Sequence, residues 1–443
     1  MMPPRRPLTA FEAFVLSLAI IAPTLAMAFN VPLAAQAAGR AAPLAFLIGG
    51  GAMALIGLSF VAFSRRIATA GSAFAYVEAV FGRRLGFLAG WGLLLAYGAF
   101  LASATGLVGG FLAVALEHLG LGLPGLWQGI AAAGGLLVIH LGGREIRSIT
   151  ALMLAIEAAA LLAILVLAGI ILARTPLSAA PFLPDPGRGW SGIGFGMVFA
   201  VLSLAGFEGA ATLAEETRDP HRSIPLAIVG SLAAATLLYT LVSYAQVAGY
   251  GPDGVQALAA AHAPLDTLAS RFISDRYAIC LDLAAGVSSL ACALGTAAAA
   301  ARILATLGRN GLGARLAAID PVHGAPRRAL RIVGAGNLLA LALFGSLAGS
   351  RAYSEAFATV ATLVLILVYM AVAAAQMVQA VREGRRAMAL VGGLGAALLA
   401  WPLLNSLYPL PDGPGLLWPL VVIAWMGGGV LLGRAGRLGG PQT

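Results

Sequence analysis

Glu157 and Glu208 are acidic residues set inside apolar stretches of the chain. A carboxylate in a hydrocarbon core costs about 2.5–3.5 kcal/mol on insertion scales, so a residue kept there is by default a proton or cation site. Glu157 lies about nine residues into its stretch. On a helix that is roughly 13 Å, near the midplane of a core about 30 Å thick. The competing reading is a protonated glutamic acid bonded to a neighbouring helix. Glu208 follows a candidate helix break; it could carry a proton or cation, gate the inner side, or tether the break by accepting bonds from freed amides. Ser288 and Ser289 are adjacent hydroxyls in a third stretch, able to offer oxygens to Na+ or to bond back to their own helix. Asp282, close to the outer end of that stretch, is expected to reach water.

The elements that must position these groups follow from composition. Hydrophobic residues make up 60% of 443 and charged residues 10%, with a mean hydropathy of +0.93. No water-soluble surface can be assembled from the remainder, so the bilayer is the solvent. A spanning helix needs roughly 20 apolar residues, and the chain divides into about twelve such runs, near 11–38, 42–63, 85–116, 126–142, 148–172, 192–214, 226–249, 277–307, 331–348, 354–381, 388–408 and 415–433. The fold class is an all-α polytopic membrane protein forming one transmembrane domain over 1–443. The first run is longer than the apolar part of a signal peptide and is expected to be retained.

The chain has no lysine, so its 27 cations are all arginines, which excludes any mechanism that needs a lysine. In alternate joints 21 arginines fall on one side and six on the other. That imbalance predicts both termini in the cytoplasm of a bacterial inner (plasma) membrane. It also explains the net charge of +9 without nucleic acid. Cys280 and Cys292 share one run and lie about 18 Å apart on a helix, too far to pair.

Two runs are interrupted near their middles. Pro23, in Ala22-Pro23-Thr24, removes an amide donor, and Gly206, after Ser203-Leu204-Ala205, costs about 1 kcal/mol of helix propensity. The breaks are five spans apart. Breaks at matching places in two five-helix halves predict a 5+5 inverted repeat, 11–172 and 192–381, with broken helices 1 and 6 and two accessory helices over 388–433. A proline kink and a packing glycine are the plainer alternative.

Three stretches resemble the amino acid–polyamine–organocation permeases. The most specific is Gly206-Phe207-Glu208 followed by Ala214-Glu215-Glu216-Thr217-Arg218-Asp219-Pro220-His221-Arg222-Ser223-Ile224-Pro225. Ala70-Gly71-Ser72-Ala73-Phe74-Ala75-Tyr76-Val77-Glu78 with Phe81-Gly82 and Gly86-Phe87-Leu88-Ala89-Gly90-Trp91 is similar to the family's joint between spans two and three. Arg302-Ile303-Leu304 through Arg309-Asn310-Gly311-Leu312 to Ala325-Pro326 is similar to its joint after span eight. The resemblance implies a substrate between the two breaks, lined by Ala22, Pro23, Thr24, Leu25 and Ala26 and by Leu202, Ser203, Leu204, Ala205 and Gly206. The amides of Thr24, Leu25 and Ala26 would face a carboxylate at a helix N-terminus, and carbonyls around Ser203 to Ala205 an ammonium. The family's frequent Gly-Ser-Gly break is replaced here by Ile21-Ala22-Pro23-Thr24. Its fifth-span lysine is replaced by Glu157, and Ser288 with Ser289 resembles its sodium-site hydroxyl pair.

The expectation is a secondary transporter and not an enzyme: a permease for a neutral amino acid, coupled to H+ or Na+ through Glu157. An organic amine or polyamine is the alternative substrate. A membrane enzyme would need a nucleophile with a base or a metal cluster, and neither emerges from the sequence. The five histidines, His118, His140, His221, His262 and His323, suggest no ligand cluster, and no cofactor or metal beyond Na+ is expected. Gly120, Gly122 and Gly125 spell a phosphate-binding pattern but follow no strand. Gly106 and Gly110 read as a close helix contact. The partners implied are a small-molecule substrate, the coupling ion and the lipid bilayer; no feature specifies an oligomer.

Overall fold

In the computed structural model, residues 9–67, 72–142, 147–208, 217, 219–313, 315–318, 320, 326–346, 349–408 and 413–434 are described. The regular elements among them are helices. Helices α1 (Ala10–Ile20) and α2 (Pro23–Ala38) share the first apolar run, and α3 (Ala42–Ser64) follows a tight turn. A short α4 (Ser72–Phe81) leads into α5 (Arg83–His118). Next come α6 (Leu126–Leu141), α7 (Arg147–Arg174), α8 (Gly189–Leu204) and α9 (Pro220–Tyr250). Two short helices, α10 (Val255–Ala260) and α11 (Pro264–Phe272), precede α12 (Asp275–Leu307). The chain ends in α13 (Arg327–Phe344), α14 (Ser350–Arg382), α15 (Arg386–Leu407) and α16 (Leu417–Arg434).

Every apolar run read from the sequence carries a helix. Seven stretches are long and apolar enough to cross a membrane, and Leu126–Leu141, Gly189–Leu204 and Leu417–Gly433 are shorter apolar helices. Leucines such as Leu162 on α7, Leu237 on α9 and Leu431 on α16 point outward, as helices in a lipid solvent require. The chain is therefore a multi-pass membrane protein. The joints around 64–84 and 250–276 hold helices too short to span. Of these, α11 buries Pro264, Leu265, Leu268 and Ala269, an amphipathic stripe at three- and four-residue spacing.

Helix α5 is the centre of the bundle, packing on α12 and α14 and also on α6 and α16. Small residues set those contacts. A Cβ on Gly109 would lie 2.2 Å from the Trp127 carbonyl oxygen of α6, and one on Gly106 would lie 2.5 Å from Ser354 Oγ of α14. The close contact expected at Gly106 and Gly110 is thus internal to the chain. Trp91 of α5 and Trp425 of α16 stack with centroids 4.5 Å apart. Each indole N–H donates to the other residue's carbonyl, both at 2.9 Å. At one end of the bundle Arg66 donates to both Glu383 oxygens. At the other, Arg351 donates to the Ala259 and Ala261 carbonyls.

Gly109→Ala forces backbone apart, an overpacking cost of about 1–3 kcal/mol, whereas a Cβ on Gly98 meets nothing within 4 Å. Thermal unfolding in detergent is expected to fall by several degrees for the first variant and to stay unchanged for Gly98→Ala. Arg66, with Gln379, holds the Glu383 carboxyl down at about 2, against an ordinary 4.5. Its contribution to stability is therefore complete above pH 4.5 and lost as pH falls through about 2. The pair is solvent-exposed, so Glu383→Gln is expected to shift the unfolding midpoint at pH 7 only slightly, and less in high salt.

Candidate functional site

The first break is made by Ala22, at φ 51° and ψ 65° the one non-glycine residue with positive φ among those described. Holding an alanine in the left-handed region costs roughly 1–2 kcal/mol. Pro23 then opens α2 with its φ already helical and with no amide to satisfy. The next two amides have no partner in the preceding turn and find one on other helices, while the third closes the first turn of α2. Thr24 N donates to Glu157 Oε1 at 2.9 Å, Leu25 N to Ser288 Oγ at 3.3 Å, and Ala26 N to the Ala22 carbonyl at 3.0 Å. The three amides expected to face a substrate are engaged by the chain itself. Glu157, from α7, sits where a helix N-terminus favours negative charge.

The second break follows Leu204. Ala205 is extended, and Gly206 has φ 101°, where only glycine is unstrained. The Gly206 amide donates to Glu208 Oε2 at 3.1 Å. Tyr97 Oη of α5 donates to Oε1 at 2.6 Å, and Tyr369 Oη of α14 lies 3.0 Å from both oxygens. Glu208 is 5% exposed, so these charge-assisted bonds replace its water. This is the tethering geometry, and it draws on two helices besides its own segment. Beside it Phe60 packs edge-on against Phe207 and Tyr369 with centroids 5.1 and 5.9 Å away.

The breaks meet at a small cavity of about 10 Å³, roughly the room one water needs. Among the expected residues, Ala22, Leu25, Ala26, Leu202 and Ser203 line it; Pro23, Thr24, Leu204, Ala205 and Gly206 do not. The sequence reading missed Phe29 and Asn30 on α2 and Phe100 and Ser103 on α5. Asn30 could have been found as a polar residue in the middle of an apolar run. Its Nδ2 donates to Ser203 Oγ at 2.8 Å, bridging the two broken segments. Gln246 Nε2 of α9 donates to the Met27 carbonyl at 3.0 Å. Thr24 Oγ1, Asn30 Oδ1, Tyr239 Oη and Gln246 Oε1 are buried without a hydrogen-bond partner among the described residues, a concentration of unmet polar atoms that native cores avoid.

Ser288 reaches the break, whereas Ser289 bonds back to the Ala285 carbonyl at 2.7 Å. Asp282 does not reach water as expected; it is 2% exposed, because α11 covers that end of α12. Of the family-like motifs, Ala70, Gly71, Ala214 to Glu216, Arg218 and Ala325 lie outside the described residues.

The profile described as amino acid permease matches residues 8–431. The chain belongs to the amino acid permease family. It is 30% identical to an uncharacterised transporter of Mycobacterium tuberculosis over 416 residues, covering 90% of this chain and 86% of that one. Similarity extends to the methylthioribose transporter of Bacillus subtilis, 30% over 263 residues and 54% of each chain. It also extends to a branched-chain amino acid permease of Lactococcus lactis, 27% over 308 residues and 64% of each. The alignments thus span between about half and two thirds of those two relatives. The family is described as one of permeases, and these relatives are named as transporters or permeases.

Tyr369→Phe leaves the buried Glu208 carboxylate short of a donor, and bonds to charged groups are worth about 1.5–3 kcal/mol. The expected result is a lower midpoint on thermal unfolding in detergent; an unchanged midpoint would show that this carboxylate is not held by Tyr369.

Proposed function

We propose that this permease carries a neutral amino acid across a bacterial plasma membrane by alternating access, coupled to the proton through Glu157. The reading includes twelve spans with both termini cytoplasmic, inverted repeats over 11–172 and 192–381, and accessory helices over 388–433. The observation that carries it is the bond from the Thr24 amide to Glu157, in the segment whose Ala22 and Leu25 line the cavity. A helix N-terminus is an anion seat, and here the protein's own carboxylate fills it. A substrate carboxylate and Glu157 then compete for one amide. A proton on Glu157 weakens its hold as the substrate arrives, so one negative charge replaces another and the two uptakes are linked. Na+ is less well served, since Ser288 already accepts from Leu25 and Ser289 is tied to its own helix.

Among the described residues no charged side chain lines the cavity; Asn30, Ser103 and Ser203 supply polar atoms beside Phe29 and Phe100. Such a lining suits an uncharged side chain, in keeping with the relative named as a branched-chain amino acid permease. The second reading is an organic amine or another substrate without a carboxylate. It draws on the occupied seat, where an ionised Glu157 would attract an ammonium, and on the relative named for methylthioribose.

In proteoliposomes, a pH gradient is expected to drive uptake of a branched-chain amino acid, and Glu157→Gln to retain exchange but lose gradient-driven accumulation. Full accumulation with unchanged pH dependence in Glu157→Gln would remove the coupling role. Thermal stabilisation by amines but by no amino acid would favour the second reading.

A further inference from the structure

We propose that His118, Asp266 and Asp282 form a binding site for a divalent transition cation, best matched by Zn2+, at the end of the bundle opposite Arg66 and Glu383. His118 closes α5, Asp266 lies on α11, and Asp282 stands about two turns into α12. His118 Nε2 is 2.9 Å from Asp266 Oδ1. One ligand atom from each of the three residues lies within 4.8 Å of the others. The sequence suggested no such cluster, because His118 and Asp266 are 148 residues apart and the helix that joins them was read as a joint.

A separate observation points to a ligand. Asp282 is 2% exposed, and its Oδ2 has no hydrogen-bond partner among the described residues. Its neighbour is another carboxyl, that of Asp266, and two carboxylates set side by side out of water are costly without a cation between them. Arginines at this end are engaged by carbonyls: Arg271 by Gly249, Arg174 by Phe272, and Arg351 by Ala259 and Ala261. A dication would neutralise both aspartates and accept the imidazole nitrogen. One nitrogen and two carboxylates suit zinc or a neighbouring transition metal, with a fourth position left for water. Calcium takes six to eight oxygens, which three side chains do not provide. Ligands of tetrahedral zinc lie roughly 3.4 Å apart, so His118 and Asp266, now 2.9 Å apart, would open slightly, and the wider separations, up to 4.8 Å, would close.

Such an ion would clip α11 to α5 and α12. Ser288 lies six residues beyond Asp282 on α12, about 9 Å along the helix. Holding α11 down therefore fixes the outer end of the helix that reaches the first break. This consequence rests on the permease reading; binding does not.

The experiment titrates ZnCl2 into chelator-stripped, tag-free full-length protein in detergent, read by calorimetry and by thermal unfolding. The expected result is one saturable equivalent of micromolar affinity, a rise of several degrees in the midpoint that EDTA reverses, and no response to MgCl2. His118→Ala and Asp266→Asn are expected to weaken zinc at least tenfold, and His262→Ala to leave it unchanged. Two folded variants guard against misfolding of Asp282→Asn. Absence of saturable zinc binding, or equal affinity in both ligand variants, overturns the site. In proteoliposomes, zinc is expected to slow uptake by the parent and not by His118→Ala. Zinc that binds yet leaves parental uptake unchanged overturns the clip alone.

Discussion

An amide freed inside a membrane has no water to turn to, and this constraint governs the arrangement of the bundle. Each helix break releases such amides, and at each a glutamate accepts one: Glu157 for Thr24 and Glu208 for Gly206. The two solutions differ in reach. Glu208 caps an amide two residues away and is itself gripped by Tyr97 and Tyr369. Glu157 comes from another helix, with no such pair of tyrosines. One carboxylate is built into its own break, while the other is lent by a neighbouring helix.

This asymmetry gives the two breaks unlike surroundings. Toward Glu208 the packing is aromatic and closed, with Phe60, Phe207 and Tyr369 in mutual contact. At the first break Thr24 Oγ1 and Asn30 Oδ1 lack partners among the described residues, and the cavity is lined mainly from α2, α5 and α8. Helix α5 takes part in both, offering Phe100 and Ser103 to the cavity and Tyr97 to Glu208. Asp282 belongs to the same account, since it shares α12 with Ser288.

The apolar runs, their arginine-rich joints and the break at Pro23 were legible because a lipid solvent leaves a one-dimensional record of burial in hydropathy. Glu157 was legible from its depth alone. The left-handed Ala22 was not, since glycine is the residue expected there and proline hides the need for it by supplying no amide. Asn30 carried a signal that went unused. Phe100 and Ser103 carried none, because their role depends on how α5 crosses the two breaks. Asp282 was misplaced for a related reason: distance from a helix end sets depth, but the cover over it comes from α11, whose nine residues are too few to register as a span.

The reciprocal bonds between Trp91 and Trp425 bear on how the molecule is made. Their partners are 334 residues apart, so while the ribosome is still extending the chain the indole of Trp91 waits in the bilayer for a mate. Gly429 leaves the notch into which that indole fits, a Cβ there lying 2.4 Å from Trp91 Cδ1. The clasp can close only once α16 has been delivered to the lipid. The central helix thus registers that synthesis has passed α16, and a chain cut short before that helix would lack the clasp.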